Sequence, residues 1–110
     1  MADKIPTYAE FWPFYLREHA KPLTRVLHYI GTFLSLWFLL IAVGAGGWWW
    51  LAVPLSGYAF AWAAHFTVEK NKPATFTYPL WSLVSDYRMF FLWFAGRLDK
   101  HLKAAGVATR

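Results

Sequence analysis

The chain has no cysteine among its 110 residues. Disulfides, thiolate metal ligands and a cysteine nucleophile are therefore excluded. Acidic residues are scarce, 6 Asp and Glu against 11 Lys and Arg, for a net charge of +5. Charge of either sign is missing from one long stretch. Residues 26–68 contain no Asp, Glu, Lys or Arg over 43 positions. A charge-free apolar run of about 18 residues or more is a membrane-spanning candidate. This run is too long for one helix and long enough for two.

Its middle, Gly44-Ala45-Gly46-Gly47, is rich in the residue that costs most inside a helix. The sequence thus predicts an all-α membrane protein built on a two-helix transmembrane hairpin, with arms over residues 23–43 and 51–69. Each arm is on the order of 28–32 Å long, enough to cross a ~30 Å hydrocarbon layer. Pro54 would fall in the first turn of the second arm, where a missing N–H is tolerated. Trp48, Trp49 and Trp50 mark the tip as the aromatic belt of one leaflet, with Tyr8, Trp12, Tyr15, Tyr78 and Trp81 expected at the other. Every Lys and Arg lies outside residues 26–68, so the positive-inside rule puts both termini in the cytoplasm, in a bacterial inner membrane. The basic excess is expected to meet anionic lipid. The basic residues are scattered and no binding motif accompanies them, which argues against nucleic acid as a partner.

The whole chain, 1–110, reads as a single membrane domain. Its mixed, charged first residues do not resemble a cleaved signal. Residues 1–6 are expected to fray. Residues 7–20 form an N-terminal interfacial helix, weakened at Pro13, and Pro22 turns the chain into the membrane. Lys70-Asn71-Lys72-Pro73 is a stop. Pro79 then opens a C-terminal amphipathic helix, interfacial or partly re-entrant, over residues 79–103.

The hairpin brings His28 and His65 to matched depth, each about 5 Å inside a flanking charge (Arg25 and Glu69). Ionisable residues inside a membrane are costly and are functional candidates by default. Gly57, Ala61, His65 and Glu69 recur at intervals of four, and Thr24, His28, Thr32 and Ser35 share a face of the first arm. These small and polar faces are expected to meet. The break at Pro22 lets His19 fold over the hairpin mouth, and Asp86 covers it from the other side. Neutral imidazoles plus a carboxylate, without sulfur, suit Fe(II), Mn(II) or Zn(II). Ordinary readings stand beside these. The histidines can sit at the interface and bond water, Glu69 can pair with Lys70, Lys72 or Arg25, and Asp86 can pair with Arg88 or Lys72. Gly57 and Ala61 can serve helix packing alone, and His101 is read as a solvated part of a basic patch.

Three strings carry a resemblance: Glu18-His19-x-x-Pro22-x-Thr24-Arg25-x-x-His28-x-x-Gly31, then Trp62-x-x-His65-Phe66-x-x-Glu69-x-Asn71-x-Pro73-Ala74-Thr75, then Pro79-x-Trp81-Ser82-x-x-x-Asp86. Together they resemble a family of small membrane proteins, once known only as a domain of unknown function, whose fungal members are 2-hydroxy-fatty-acid dioxygenases of alpha-oxidation. The chain resembles its shorter, bacterial-type branch. Near the first histidine it departs from the fungal pattern, with Glu18, Ala20 and Arg25 where that pattern has a second His and two Asn. The resemblance implies an oxidoreductase of fatty acid and lipid metabolism that uses Fe(II) and O₂ to shorten a 2-hydroxy fatty acid by one carbon. It implies that His19, His28 and His65 ligate the metal, with Glu69 as fourth ligand or as an orienting partner. Arg25 would hold the substrate carboxylate, Asn71 and Asp86 would bind substrate or support the ligands, and the acyl tail would lie on the bilayer-facing surface. A homo-oligomer is a further expectation. The alternative is a non-enzymatic membrane lipid-binding or assembly protein.

Overall fold

The computed structural model describes residues 5–107, and the described residues are all helical or loop. Helix α1 is Tyr8–Arg17, α2 is Pro22–Ala45 and α3 is Trp49–Ala63, continued by a π-turn at Ala64–Glu69. A short 3₁₀ turn, Ala74–Phe76, leads to α4 at Pro79–Phe94, and α5 is Leu98–Ala104. Residues 1–4, expected to fray, lie outside the described residues. Ile5 does not fray, because its N–H donates to the Tyr78 hydroxyl at 2.8 Å.

Helices α2 and α3 form the hairpin, and both are long and apolar enough to cross a membrane. Only 33% and 17% of their apolar windows are buried inside the protein, so neither is the covered core helix of a soluble domain. On α2 the exposed side chains are Leu23, Val26, Ile30, Phe33, Trp37 and Leu40, while Thr24, His28, Thr32 and Ser35 are buried. Helix α4 repeats the inversion, burying Ser82 and Ser85 and exposing Leu80, Val84, Phe91 and Phe94. Polar groups inside and apolar groups outside are the pattern of helices solvated by lipid.

The two arms approach tightly at Gly31. A Cβ there would stand 2.9 Å from the Phe60 Cβ and 3.1 Å from the Gly57 carbonyl oxygen. The tip turns through Gly46 and Gly47 at positive φ (68° and 63°), a region glycine enters without penalty. Since α3 starts at Trp49, Pro54 lies in its second turn, inside the helix rather than in the first turn.

The expected single helix over residues 79–103 is two helices. Gly96 adopts φ 74°, its N–H bonds to the Trp93 carbonyl, and the Arg97 N–H bonds to the Leu92 carbonyl at 2.8 Å. That pair of bonds is a Schellman stop, which ends α4 and redirects α5. Helix α1, capped by the Thr7 hydroxyl on the Glu10 N–H, packs across α4 and α5. Trp12 and Tyr15 are buried, and Tyr8, Tyr78 and Trp81 pack against the same core. Of these five aromatics, Trp12 and Tyr15 are therefore interior packing, while Tyr8, Tyr78 and Trp81 keep part of their surface exposed. His101 is likewise not free in solvent, since its Nδ1 accepts from the Trp12 indole at 3.1 Å.

Candidate metal centre

Three elements deliver three histidines to one point. His19 belongs to no helix; it lies in the turn between α1 and Pro22. The buried Arg25 fixes that turn, Nη1 donating to the carbonyls of His19 (2.8 Å) and Ala20 (3.0 Å). His28 is on α2 and His65 in the π-turn. All three are buried. The His19 Nε2 is 3.0 Å from the His28 Nε2 and 3.1 Å from the His65 Nε2. One ligand atom from each lies within 4.8 Å of the others.

The other ring nitrogens settle where the protons are. The His19 Nδ1 meets the Tyr15 carbonyl at 2.6 Å, and the His28 Nδ1 meets the Thr24 carbonyl at 2.8 Å. A carbonyl only accepts, so both Nδ1 atoms carry the proton. The His65 Nδ1 meets the Asn71 Oδ1 at 2.6 Å. The Asn71 Nδ2 donates to the Glu18 carbonyl (3.0 Å) and carboxylate (3.3 Å), which orients the amide with its oxygen on His65. In the neutral rings all three Nε2 atoms are then bare lone pairs directed at one another. That is repulsive unless a cation lies among them, and it is the arrangement metal-binding histidines show, each fixed by a bond from its second nitrogen. The donor set fits a first-row divalent metal with no preference for sulfur. Burial, then the neighbouring His28 and His65, holds His19 well below its ordinary pKa, so the ring stays neutral as a ligand must.

Around the triad, Tyr15 serves three ways. Its carbonyl fixes His19, its ring stacks on His19 at 4.0 Å between centroids, and its hydroxyl donates to the Asp86 carboxylate. Burial pushes Asp86 up to about 7, against the opposing Tyr15 hydroxyl. Tyr15 itself is raised, by burial and then by the Asp86 charge. Burial and the charge of Glu69 also raise Glu18. A cavity of about 10 Å³ touches all three histidines and Asp86, room for about one water molecule. Trp62 and Ser82 line it, and their buried Nε1 and Oγ have no partner among the described residues.

Glu69 stands apart from the triad. Its Oε1 accepts from the Lys21 N–H (3.0 Å) and the Thr24 hydroxyl (2.7 Å), capping α2, whose own N-cap residue makes no side-chain cap. The four-residue spacing from His65 assumed 3.6 residues per turn. The chain instead forms a π-turn there, whose bonds close on the fifth residue, and the shared face is lost. Arg25 also differs from the substrate-binding role expected of it, because it is buried and bonded to backbone carbonyls. Asn71 bonds the His65 ring, and Asp86 lines the small cavity beside the three histidines. Tyr15, Trp62 and Ser82 were missed; the four-residue step from Tyr15 to His19 was the signal for the first.

A family model described as 2-hydroxy-palmitic acid dioxygenase Mpo1-like matches residues 5–98. The chain belongs to that Mpo1-like family. No curated protein and no solved structure matches it. The three strings that carry the resemblance lie within the matched residues, and so do all three histidines of the buried cluster.

Proposed function

We propose that this protein is an Fe(II)-dependent membrane dioxygenase that converts a 2-hydroxy fatty acid to the fatty acid one carbon shorter. The observation that carries the reading is the convergence of three unprotonated Nε2 atoms in a family named for 2-hydroxy-palmitic acid dioxygenase. His19, His28 and His65 would hold the metal, and Asn71 keeps His65 in the binding tautomer. Bound iron would supply the one-electron chemistry by which O₂ reacts with a closed-shell acid. The stoichiometry closes with one O₂: 2-hydroxy acid plus O₂ gives the shorter acid, CO₂ and water.

The chain's own part is positioning and protection. Asp86 lines the cavities on both sides of His28. Its Oδ1 is held by Tyr15, and its remaining oxygen accepts the 2-hydroxyl proton. Burial of the histidines excludes bulk water, which protects reactive states from side reactions. Arg25 and Glu69 hold the turn and the helix start that place His19 and His28. Both termini face the cytoplasm of a bacterial inner membrane on this reading, because every Lys and Arg lies outside residues 26–68.

The test is anaerobic purification, loading with Fe(II), then 2-hydroxypalmitate and O₂. Pentadecanoate should form, and His28→Ala and His65→Ala should abolish it. No product above those controls would remove the assignment and leave a non-catalytic lipid-binding protein.

A further inference from the structure

A second, larger cavity of about 250 Å³ leads away from the metal centre. His28 and Asp86 line it beside the histidine cluster, and Val53 and Pro54 line it about two turns along α3 from Ala61. It runs down the inner side of the hairpin. From Ala61, which also lines the small cavity beside the histidines, to Gly57 is about 6 Å along α3, and to Val53 about 12 Å.

The space exists because the small face of α3 is only loosely filled beside Gly57. The helices close at Gly31, against Phe60 and the Gly57 carbonyl. On the other side, a Cβ at Gly57 would meet only the Ser35 Cβ, at 3.9 Å. The hydroxyls at mid-length satisfy one another: Ser35 Oγ pairs with Tyr87 Oη at 2.8 Å and donates to the Thr32 carbonyl at 2.9 Å. The Thr32 and Tyr58 hydroxyls also line the space, but the rest of the wall below the head end is apolar side chain and the bare backbone at Gly57. At about 250 Å³ the space is below the ~300–1,000 Å³ of pockets that enclose a whole drug-sized ligand. It suits one narrow apolar chain and not a branched or two-chain lipid. Helices α3 and α4 scarcely touch, which leaves a seam to the bilayer.

We infer that this cavity seats the acyl chain of the substrate inside the protein, head group at His28 and Asp86, with Gly57 setting the bore and the distal chain leaving between α3 and α4. The inference rests on the proposed activity for the identity of the head group. It replaces the expectation that the tail lies on the lipid-facing surface.

The absence of native cysteine makes the test clean. Gly57→Cys, Val53→Cys and, as a lipid-facing control, Leu55→Cys (66% exposed in the parent) are each placed in the full chain in phospholipid nanodiscs. Alkylation by a small membrane-permeant maleimide is timed without O₂, with and without added acid. 2-Hydroxyhexadecanoate should slow labelling at Gly57→Cys and Val53→Cys at least fivefold and leave Leu55→Cys unchanged. 2-Hydroxyoctanoate should protect Gly57→Cys but not Val53→Cys, and 2-hydroxybutanoate neither. Unchanged labelling at both cavity positions overturns the inference, as does equal slowing at Leu55→Cys. Octanoate protection of Val53→Cys as strong as that of Gly57→Cys overturns the orientation. Since labelling needs no turnover, protection without any chain-shortened product in the Fe(II) and O₂ assay would sink the dioxygenase assignment and leave the acyl cavity standing.

Discussion

The Nε2 atoms of His19 and His28 face each other across 3.0 Å with no proton to share, because each ring has given its proton to a backbone carbonyl through Nδ1. Neither carbonyl can return it. Two acceptors held this close by main chain from different elements repel unless a cation or a shared proton lies between them, and with His65 they form a cluster that could hold a metal ion.

Metal content is the first consequence. Purified protein should carry about one ion per chain, and His19→Ala, His28→Ala or His65→Ala should each lose it. Asn71→Ala should weaken affinity about 10–100-fold, the usual effect of removing an outer partner, since His65 would lose the acceptor that sets its tautomer. Elemental analysis and a competitive chelator titration read both effects. Full retention of the ion in two of the three His variants would end the triad assignment.

Glu69 gives a sharper discrimination. As a cap on α2 it receives the Lys21 N–H and the Thr24 hydroxyl. Glu69→Ala should therefore cost about 0.5–2 kcal/mol of stability, the range for losing a helix cap, with metal content unchanged. A tenfold or greater loss of metal affinity with no change in stability would instead make Glu69 a ligand.

The two glycines of the hairpin should behave oppositely. At Gly31 a new methyl meets Phe60 at 2.9 Å and two carbonyl oxygens at 3.1–3.2 Å, so Gly31→Ala must part the helices, at about 1–3 kcal/mol for overpacking. At Gly57 the nearest atom is 3.9 Å away, and Gly57→Ala should be neutral or stabilising by up to about 1 kcal/mol from helix propensity. Detergent-melt midpoints of the two variants compare them directly; equal losses would contradict the asymmetric packing.

How much of this was readable without coordinates varies by residue, for physical reasons. The hairpin was visible because lipid solvation demands a long uncharged run, and residues 26–68 supply it. The break at Pro22 announced that His19 would leave the α2 axis. The stop at Gly96 was equally legible as a glycine after a helix, yet the apolar pattern running through Met89–Phe94 masked it. The π-turn was not legible at all, since nothing in Ala64–Glu69 distinguishes a five-residue closure from a four-residue one. That single ambiguity moved Glu69 from ligand to cap. The role of Tyr15 depends on a carbonyl, a hydroxyl and a ring facing three ways, and only the packed fold fixes those directions. The small face of Gly57 and Ala61 read as a packing face, whereas in the fold both residues also line a cavity, because a Cβ at Gly57 would meet only the Ser35 Cβ, at 3.9 Å.

Asp86 predicts a pH signature in the metal-free protein. Burial holds its folded-state pKa near 7, against about 3.9 for an unperturbed aspartate. Between those values the folded chain keeps a proton that the unfolded chain releases. The contribution of Asp86 to stability is therefore complete below about pH 4 and is lost as pH rises through 7, on the order of 4 kcal/mol over the whole window. His19 acts with the opposite sign: its lowered pKa removes stability as pH falls below about 6.5. The wild-type profile alone mixes the two, so the difference between wild type and Asp86→Asn is the informative quantity. Asn keeps an acceptor for the Tyr15 hydroxyl and cannot titrate. Chelator-treated samples melted in detergent from pH 4.5 to 8 should show wild type losing stability relative to Asp86→Asn across pH 4.5–7. Tyr15→Phe removes the hydroxyl that opposes the shift and should move that loss to higher pH. A flat difference would mean that Asp86 is already ionised in the folded protein, and that it meets the substrate hydroxyl as a fixed charge rather than as a group able to exchange its proton near neutrality.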